Sequence, residues 1–265
     1  MTVMEERTVD MDMLKARMNL QLIAPLLEDI VAHDAGAAAL VKGWNCAVQI
    51  QAGSDPALAV HLAFANGRPT AVAGPHQRPA VVLNFQSPQN LNAHFGAPGE
   101  KTGVKVRGLW RFIILKNFAK LLTYIKRYLK PREEQEADPA AQSLRAGLLL
   151  RISVMGLPFV AEGDPGAQKV VSNIPDGACA WRIKPDGPAF HVMVRGGALS
   201  AAAGDAPDAA ARVEFKDAPT ALAVLTGKTD PMKAMVKGDF AITGQTQIAL
   251  MLSSLQQKIG KILNG

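Results

Sequence analysis

The chain is written twice at a spacing of about 130 residues, and this repeat constrains the fold more than any other feature. Gly36-Ala37 returns as Gly166-Ala167, and Val31-Ala32 as Val160-Ala161. Cys46-Ala47-Val48-Gln49-Ile50 returns as Cys179-Ala180-Trp181-Arg182-Ile183. Phe85, Pro88, Leu91 and Gly96 align with Phe215, Pro219, Leu222 and Gly227, Arg107-Gly108 with Lys237-Gly238, and Phe118-Ala119 with Ile248-Ala249. The offset drifts only between 129 and 133, as small loop insertions produce. Solenoid units run to roughly 20–50 residues, so this period has the size of a domain. The 265 residues therefore divide into a first unit, 1–130, a linker, 131–139, and a second unit, 140–265. Each unit is long enough to bury a core without metals or disulfides.

The pattern within each unit mixes helix and strand. Leu14, Met18, Leu22, Leu26 and Ile30 recur every four residues, a helical spacing that Pro25 must kink or break. A short helix, 35–42, leads to a strand at 45–51. Val60 to Phe64 alternates as a strand, and Asn66-Gly67 supplies a hairpin turn. Val81 to Phe85 and Val104 to Trp110 read as further strands, Ser87-Pro88 opens a helix, and a long helix runs to Leu129. The linker reads PREEQEADP, charged and bounded by prolines. The second unit repeats the order: helices in 140–173, strands near 179–184, 189–195, 198–203 and 210–216, a helix 218–226, a strand 234–243 and a closing helix 245–262. Helices, then an antiparallel meander, then helix, strand and helix specify an α+β layer architecture.

In the second unit the run from Ala211 to Phe215, the helix with Leu222 and Leu225, and the stretch Thr226-Gly227-Lys228-Thr229-Asp230-Pro231 through Lys237-Gly238-Asp239-Phe240-Ala241-Ile242-Thr243-Gly244 resemble the sterol-carrier-protein, or non-specific lipid-transfer, domain. The resemblance covers roughly residues 176–262. In the first unit it is inherited through the repeat: Gly96 and Gly108 survive, Gly96-Ala97-Pro98-Gly99-Glu100 stands in place of the Gly-Lys segment, and Ile114 aligns with the second glycine, Gly244. The resemblance implies two such domains in tandem, each a mostly antiparallel five-stranded sheet covered by helices around an apolar tunnel for a sterol, a fatty acyl chain or an acyl-CoA. It implies binding and transfer without chemistry and without a cofactor. The residues expected to line the tunnel are Phe215, Leu222, Leu225, Met232, Met235, Phe240, Ile242, Ile248, Met251, Leu252 and Leu255. In the first unit they are Phe85, Leu91, Trp110, Phe112, Phe118, Leu121, Leu122 and Ile125. The apolar stripe of the closing helix and three methionines near it suit an adaptable apolar wall; the same pattern also suits an ordinary core helix.

Charge is concentrated. The net charge is +6, yet residues 101–132 hold ten basic side chains and no acidic one, which leaves −4 for the remainder. Over 109–130 an apolar face carries Ile114, Leu115, Phe118, Leu121, Leu122, Ile125 and Leu129, while Lys116, Lys120, Arg127 and Lys130 lie away from it. Three readings fit: a closing helix with a solvated basic back, a helix that docks transiently on an anionic membrane through those four cations, or a site for an acidic protein partner. Nucleic acid is disfavoured, because the basicity is confined to one helix and carries no recognised motif.

Catalytic signatures are absent. Gly227-Lys228-Thr229 imitates the end of a phosphate loop, but Leu222 occupies the position of its first glycine. The five histidines are scattered, with no metal-ligand spacing. No Gly-x-Ser-x-Gly turn occurs. His61 is expected to face solvent. Cys46 and Cys179 hold matching places in the two units, where buried thiols are expected over a disulfide. The acidic N-terminus does not read as a secretory signal, and the most apolar run, Ala146–Ala161, is interrupted by Arg151, so a cytoplasmic location is expected. The expectation is thus a non-enzymatic lipid carrier, with an accessory subunit that presents a hydrophobic substrate to a partner enzyme as the alternative.

Overall fold

The computed structural model describes residues 10–96, 103–130 and 138–264. Most of the linker (131–137) and the Ala97–Glu100 part of the divergent segment lie outside the described residues.

The first half opens with α1 (Met11–Met18), capped by the Asp10 carboxylate, which accepts from the backbone N–H groups of Asp12 and Met13 at 3.0 and 3.2 Å. The break expected at Pro25 is real. The chain passes through a π turn, Asn19–Ile23, and resumes as α2 (Leu26–His33), because proline has no N–H to continue the ladder. Next come α3 (Ala35–Leu40), β1 (Cys46–Ala52), β2 (Ala59–Ala65), β3 (Arg68–Ala73), β4 (Val81–Phe85), α4 (Pro88–Gly96), β5 (Val104–Arg107) and α5 (Phe112–Leu129). The strand β3 follows the Asn66-Gly67 turn, with Asn66 and Gly67 both at positive φ.

The second half begins with α6 (Pro139–Met155) and α7 (Leu157–Gly163). It continues through α8 (Pro165–Val171), β6 (Gly177–Ile183), β7 (Ala189–Arg195), β8 (Ala198–Ala203), β9 (Ala211–Phe215), α9 (Ala218–Leu225), α10 (Pro231–Val236), β10 (Phe240–Gly244) and α11 (Thr246–Asn264).

The two five-stranded sheets have the same strand order. One runs β3-β2-β1-β4-β5, and the other β8-β7-β6-β9-β10. In each, the pairing of the first and fourth strands is parallel and the other three pairings are antiparallel. The sheets are therefore mostly antiparallel, as expected, with one parallel pairing at the centre because the fourth strand crosses over to the far side of the first. Local hydrogen bonds recur too. Asp34 and Asp164 cap α3 and α8 by accepting from the N–H of Ala37 and Ala167, each at 2.9 Å. The same two carboxylates accept from the closing helices, from the Tyr128 hydroxyl and from Lys258 Nζ, each at 2.7 Å. His61 and His191 each place Nδ1 3.0 Å from a glycine carbonyl, Gly74 and Gly204.

Three sequence readings need correction. Residues 234–243 are not one strand: Asp230 accepts from the Lys233 N–H and Pro231 sits at the first helical position, so α10 forms first and ends before Gly238 at positive φ. The true counterpart of Gly108 is Gly244, not Gly238. An added Cβ at either would lie 2.2 Å from a carbonyl oxygen, that of Ala80 or of Ala210. The second glycine therefore survives in the first half, and Ile114 does not replace it. The third concerns Ala146–Ala161: the helical stretch Pro139–Gly163 is long and apolar enough to cross a membrane by length and composition.

Here that stretch is the partition between the halves. Ala146, Leu148, Leu150, Ile152 and Val154 are buried on more than one side of α6, the pattern of a helix surrounded by protein. α6 packs on β7 and α9 of its own half and on α2 and α5 of the other. The buried apolar residues of both halves form one continuous cluster. Arg151, the polar interruption, reaches across to Asp29 at 2.7 Å and Glu28 at 2.8 Å. Arg17 returns the contact to Glu162 at 3.1 Å and lies over the Phe159 ring.

Candidate functional site: a cavity between the halves

Where α4, α5, α6, α9 and α11 converge, the two halves leave a cavity of about 1000 Å³. That is the upper end of the size range of small-molecule sites. The first half contributes Ile23 of the π turn, Phe95 of α4, and Leu122, Ile125 and Leu129 of α5. The second contributes Leu149 and Ile152 of α6, Leu225 of α9, and Ile259 and Leu263 of α11. These elements meet because each half turns the apolar flanks of its helices toward α6, and α6 is too narrow to fill the whole space.

Ten of the twenty-three lining residues are polar, and they are placed unevenly. Asn19 is buried and its Nδ2 donates to Asn92 Oδ1 at 3.0 Å. The hydroxyls of Ser153 and Thr226 are spent on the carbonyls of Leu150 and Leu222. Gln256 Nε2 is buried without a hydrogen-bond partner among the described residues. Three cations, Lys126, Arg127 and Lys130, line one side, with Arg127 4.0 Å from Asp34, and among the described residues no carboxylate is in the lining. Lys126 Nζ donates to the His94 carbonyl at 3.3 Å. Burial first, and then the Lys126 charge, hold the His94 imidazole below its usual range, so it is neutral near pH 7. The site offers an apolar volume with cations along one side. A molecule with an apolar body and an anionic end matches both.

The residues expected to line a tunnel within each half are distributed differently. Phe215, Phe240, Ile248, Leu252 and Leu255 are buried in the second core, with the Phe215 and Phe240 rings 5.1 Å apart. Leu222, Met235, Ile242 and Met251 pack partly buried against it, and Met232 is exposed. Phe85, Leu91, Phe118 and Leu121 are likewise buried in the first core, whereas Trp110 and Phe112 project into solvent. Of the nineteen residues only Leu122, Ile125 and Leu225 line the cavity. Of the four expected docking cations, Lys116 and Lys120 are exposed on α5, and Arg127 and Lys130 stand at the cavity rim. Sequence reasoning missed Ile23, Leu149, Ile152 and Gln256. The available signal was the apolar character of residues 139–155 on every face, which demands contact with more than one layer.

The two cysteines are free. Burial pushes the Cys179 thiol up to about 12 and raises Cys46 as well, against the lowering effect of Arg111. Since the thiolate is the reactive form, Cys179 is expected to resist iodoacetamide at pH 8 in the folded protein and to react fully in denaturant. Mass spectrometry of the alkylated chain reads this directly.

A second hollow, of about 490 Å³, lies beside β1 and β5 and is lined by Gln49, Gln51, Asp55, His76, Arg107 and Trp110 among others. It is polar, and among the described residues no group of His, Cys, Asp and Glu side chains is arranged to hold a metal ion.

Comparison with known proteins gives structural likenesses and one family match. No curated protein matches the chain. Among solved structures, a possible sterol carrier protein from Thermus thermophilus aligns at 22% identity and TM-score 0.32, covering 43% of this chain and 84% of that one. A ubiquinone synthesis protein, UbiJ-SCP2, aligns at 14% and 0.31, covering 39% and 88%. The sec-alkylsulfatase Pisa1 from a Pseudomonas species aligns at 15% and 0.28, covering 56% and 29%. The SCP-2 sterol transfer family matches residues 160–257, from within α7 to within α11.

Proposed function

We propose that the protein binds a lipid or similar lipophilic molecule in the cavity between its halves and carries it through water without chemical change. The carrying observation is the cavity itself: about 1000 Å³ lined by aliphatic side chains from both halves, with three cations on one side. The family match over 160–257, named for sterol transfer, supports lipid binding or transfer. The wall chemistry favours an anionic amphipath, such as a fatty acid or an acyl-CoA, over a neutral sterol. Its body would bury several hundred Å² of apolar surface, worth on the order of 10 kcal/mol gross. Its head would meet Lys126, Arg127, Lys130 and Gln256. In the same reading the first half is a divergent copy of the second, supported by the shared strand order and by the matching aspartate and histidine contacts. The match of α1–α2 to α6–α7 then makes each half supply one wall of the site.

Native mass spectrometry of the purified protein, followed by organic extraction, is the first test. Fluorescent fatty acid binding to variants is the second. Ser153→Trp fills the cavity from α6 and is expected to lower affinity at least about tenfold, since the volume it occupies is the ligand's. Gln256→Leu removes an unsatisfied buried donor, and the protein is expected to gain about 1 kcal/mol of stability. Met232→Ala, away from the cavity, leaves binding unchanged. Loss of binding in Phe240→Ala without loss in Ser153→Trp would move the ligand into the second half and overturn the shared site.

The alternative role, presenting a hydrophobic substrate to a partner enzyme, is favoured by one feature, the exposed Met232 and Val236 on α10. It predicts co-purification with that enzyme and little transfer between vesicles.

A further inference from the structure

The strongest apolar exposure on the molecule is not near the cavity. Leu109, Trp110, Phe112 and Ile113 are 63%, 84%, 64% and 72% exposed, in one turn at the start of α5. Four large apolar side chains side by side in solvent are unusual for a soluble surface. They sit in an insertion. Gly108 and Gly244 are structural counterparts, and Phe118 and Ile248 are the matching first anchors of the two closing helices. Nine residues separate the first pair and three the second, so the first half carries six extra residues here, and the exposed side chains all lie on that stretch. In the second half the same passage is Gln245-Thr246-Gln247, polar throughout.

The flanking chain is strongly basic, although Asp55 lines the hollow that Arg107 and Trp110 share. Lys105 and Arg107 on β5, Arg111 within the turn, and Lys116 and Lys120 on the next turns of α5 are all exposed. Phe112, Lys116, Lys120, Thr123, Arg127 and Lys130 fall along one exposed stripe of the helix. No acidic residue occurs between Lys101 and Arg132. An apolar tip ringed by cations is complementary to an anionic lipid surface: the ring attracts the headgroups, and the tip enters the interface, with Trp suited to that depth.

We infer that Leu109, Trp110, Phe112 and Ile113 form a wedge that anchors the protein to anionic bilayers. The cavity rim at Arg127 and Lys130 stands at the other end of α5, about 20–30 Å away by helical rise. The wedge is therefore an anchor, separate from the ligand entrance, and the inference does not depend on what the cavity holds.

The test uses the full chain with vesicles of phosphatidylcholine alone and of an equimolar mixture with phosphatidylglycerol. Of the three tryptophans, Trp181 is buried and Trp44 half-buried, so Trp110 dominates any change on docking. The protein is expected to float with the anionic vesicles, its emission shifted to shorter wavelength, and to leave phosphatidylcholine alone in solution. Added salt reverses the binding. A Phe112→Ser and Ile113→Ser double variant, altered only at exposed positions and checked by thermal unfolding, loses at least about tenfold in vesicle affinity. Absence of flotation on anionic vesicles, or equal flotation of the variant, overturns the wedge. A concentration-dependent dimer that the same variant dissolves would also overturn it, by showing that a second copy covers the patch.

Discussion

Gly244→Ala is expected to destabilise the protein by at least about 3 kcal/mol, and Gly108→Ala by a similar amount. Two effects add at each position. The backbone is left-handed, φ +76° at Gly244 and +88° at Gly108, which costs a residue with a Cβ about 1–2 kcal/mol. The new Cβ would also lie 2.2 Å from the carbonyl oxygen of Ala210 or Ala80. Those carbonyls precede β9 and β4, so relief requires shifting a strand paired on both sides. Gly74 separates the two effects, because its φ is +92° and nothing lies within 4 Å of a Cβ there. Gly74→Ala should cost only the backbone part, about 1 kcal/mol. Urea unfolding of the three variants measures the difference. Equal losses at all three would show that the glycines serve only their dihedral angles.

Arg151→Met should cost about 2 kcal/mol and loosen the joint between the halves. The guanidinium side chain is 17% exposed, and its two carboxylate partners are 27% and 38% exposed. Removing one member of a buried charge cluster can cost 3–5 kcal/mol; the partial exposure of Glu28 and Asp29 lets water take over part of the role and lowers that figure. Glu28 is also held by the Ala71 N–H at 2.7 Å, so it cannot swing out freely. A double-mutant cycle with Asp29→Asn isolates the coupling. If Arg151→Met is neutral, the apolar surface of α6 alone holds the halves together. Ligand affinity provides a second readout, since Ile152 and Ser153 on the same helix line the cavity.

Much of the architecture is legible in the residues. The 130-residue period, the alternation of Val60–Phe64, the caps at Ser87-Pro88 and the break at Pro25 all rest on short-range chemistry: a proline without an N–H, a side chain that caps a helix, a pleat of period two. The two halves also share one strand order. Even the exposed wedge has a sequence trace, an apolar run among cations with no acidic residue nearby.

The cavity was not legible, and the reason is physical. A stripe such as Ile248, Leu252, Leu255 and Ile259 states that a helix face is apolar and is silent about what meets it. Three of these fill a closed core, while Ile259, one turn on, borders open space. Arg151 reads as an interruption in an apolar run until the fold sets Glu28 and Asp29 against it, more than 120 residues earlier. The counterpart of Gly108 was mistaken because a loop lengthened by α10 and an insertion after Gly108 cancel, restoring the offset of 130 beyond them. The sequence by itself determined most of the elements and the concentration of charge, since these depend on neighbours along the chain. Only the tertiary structure decided that the halves share one core, that an open volume lies between them, and that Trp110 faces solvent, since these depend on which surfaces find each other across space.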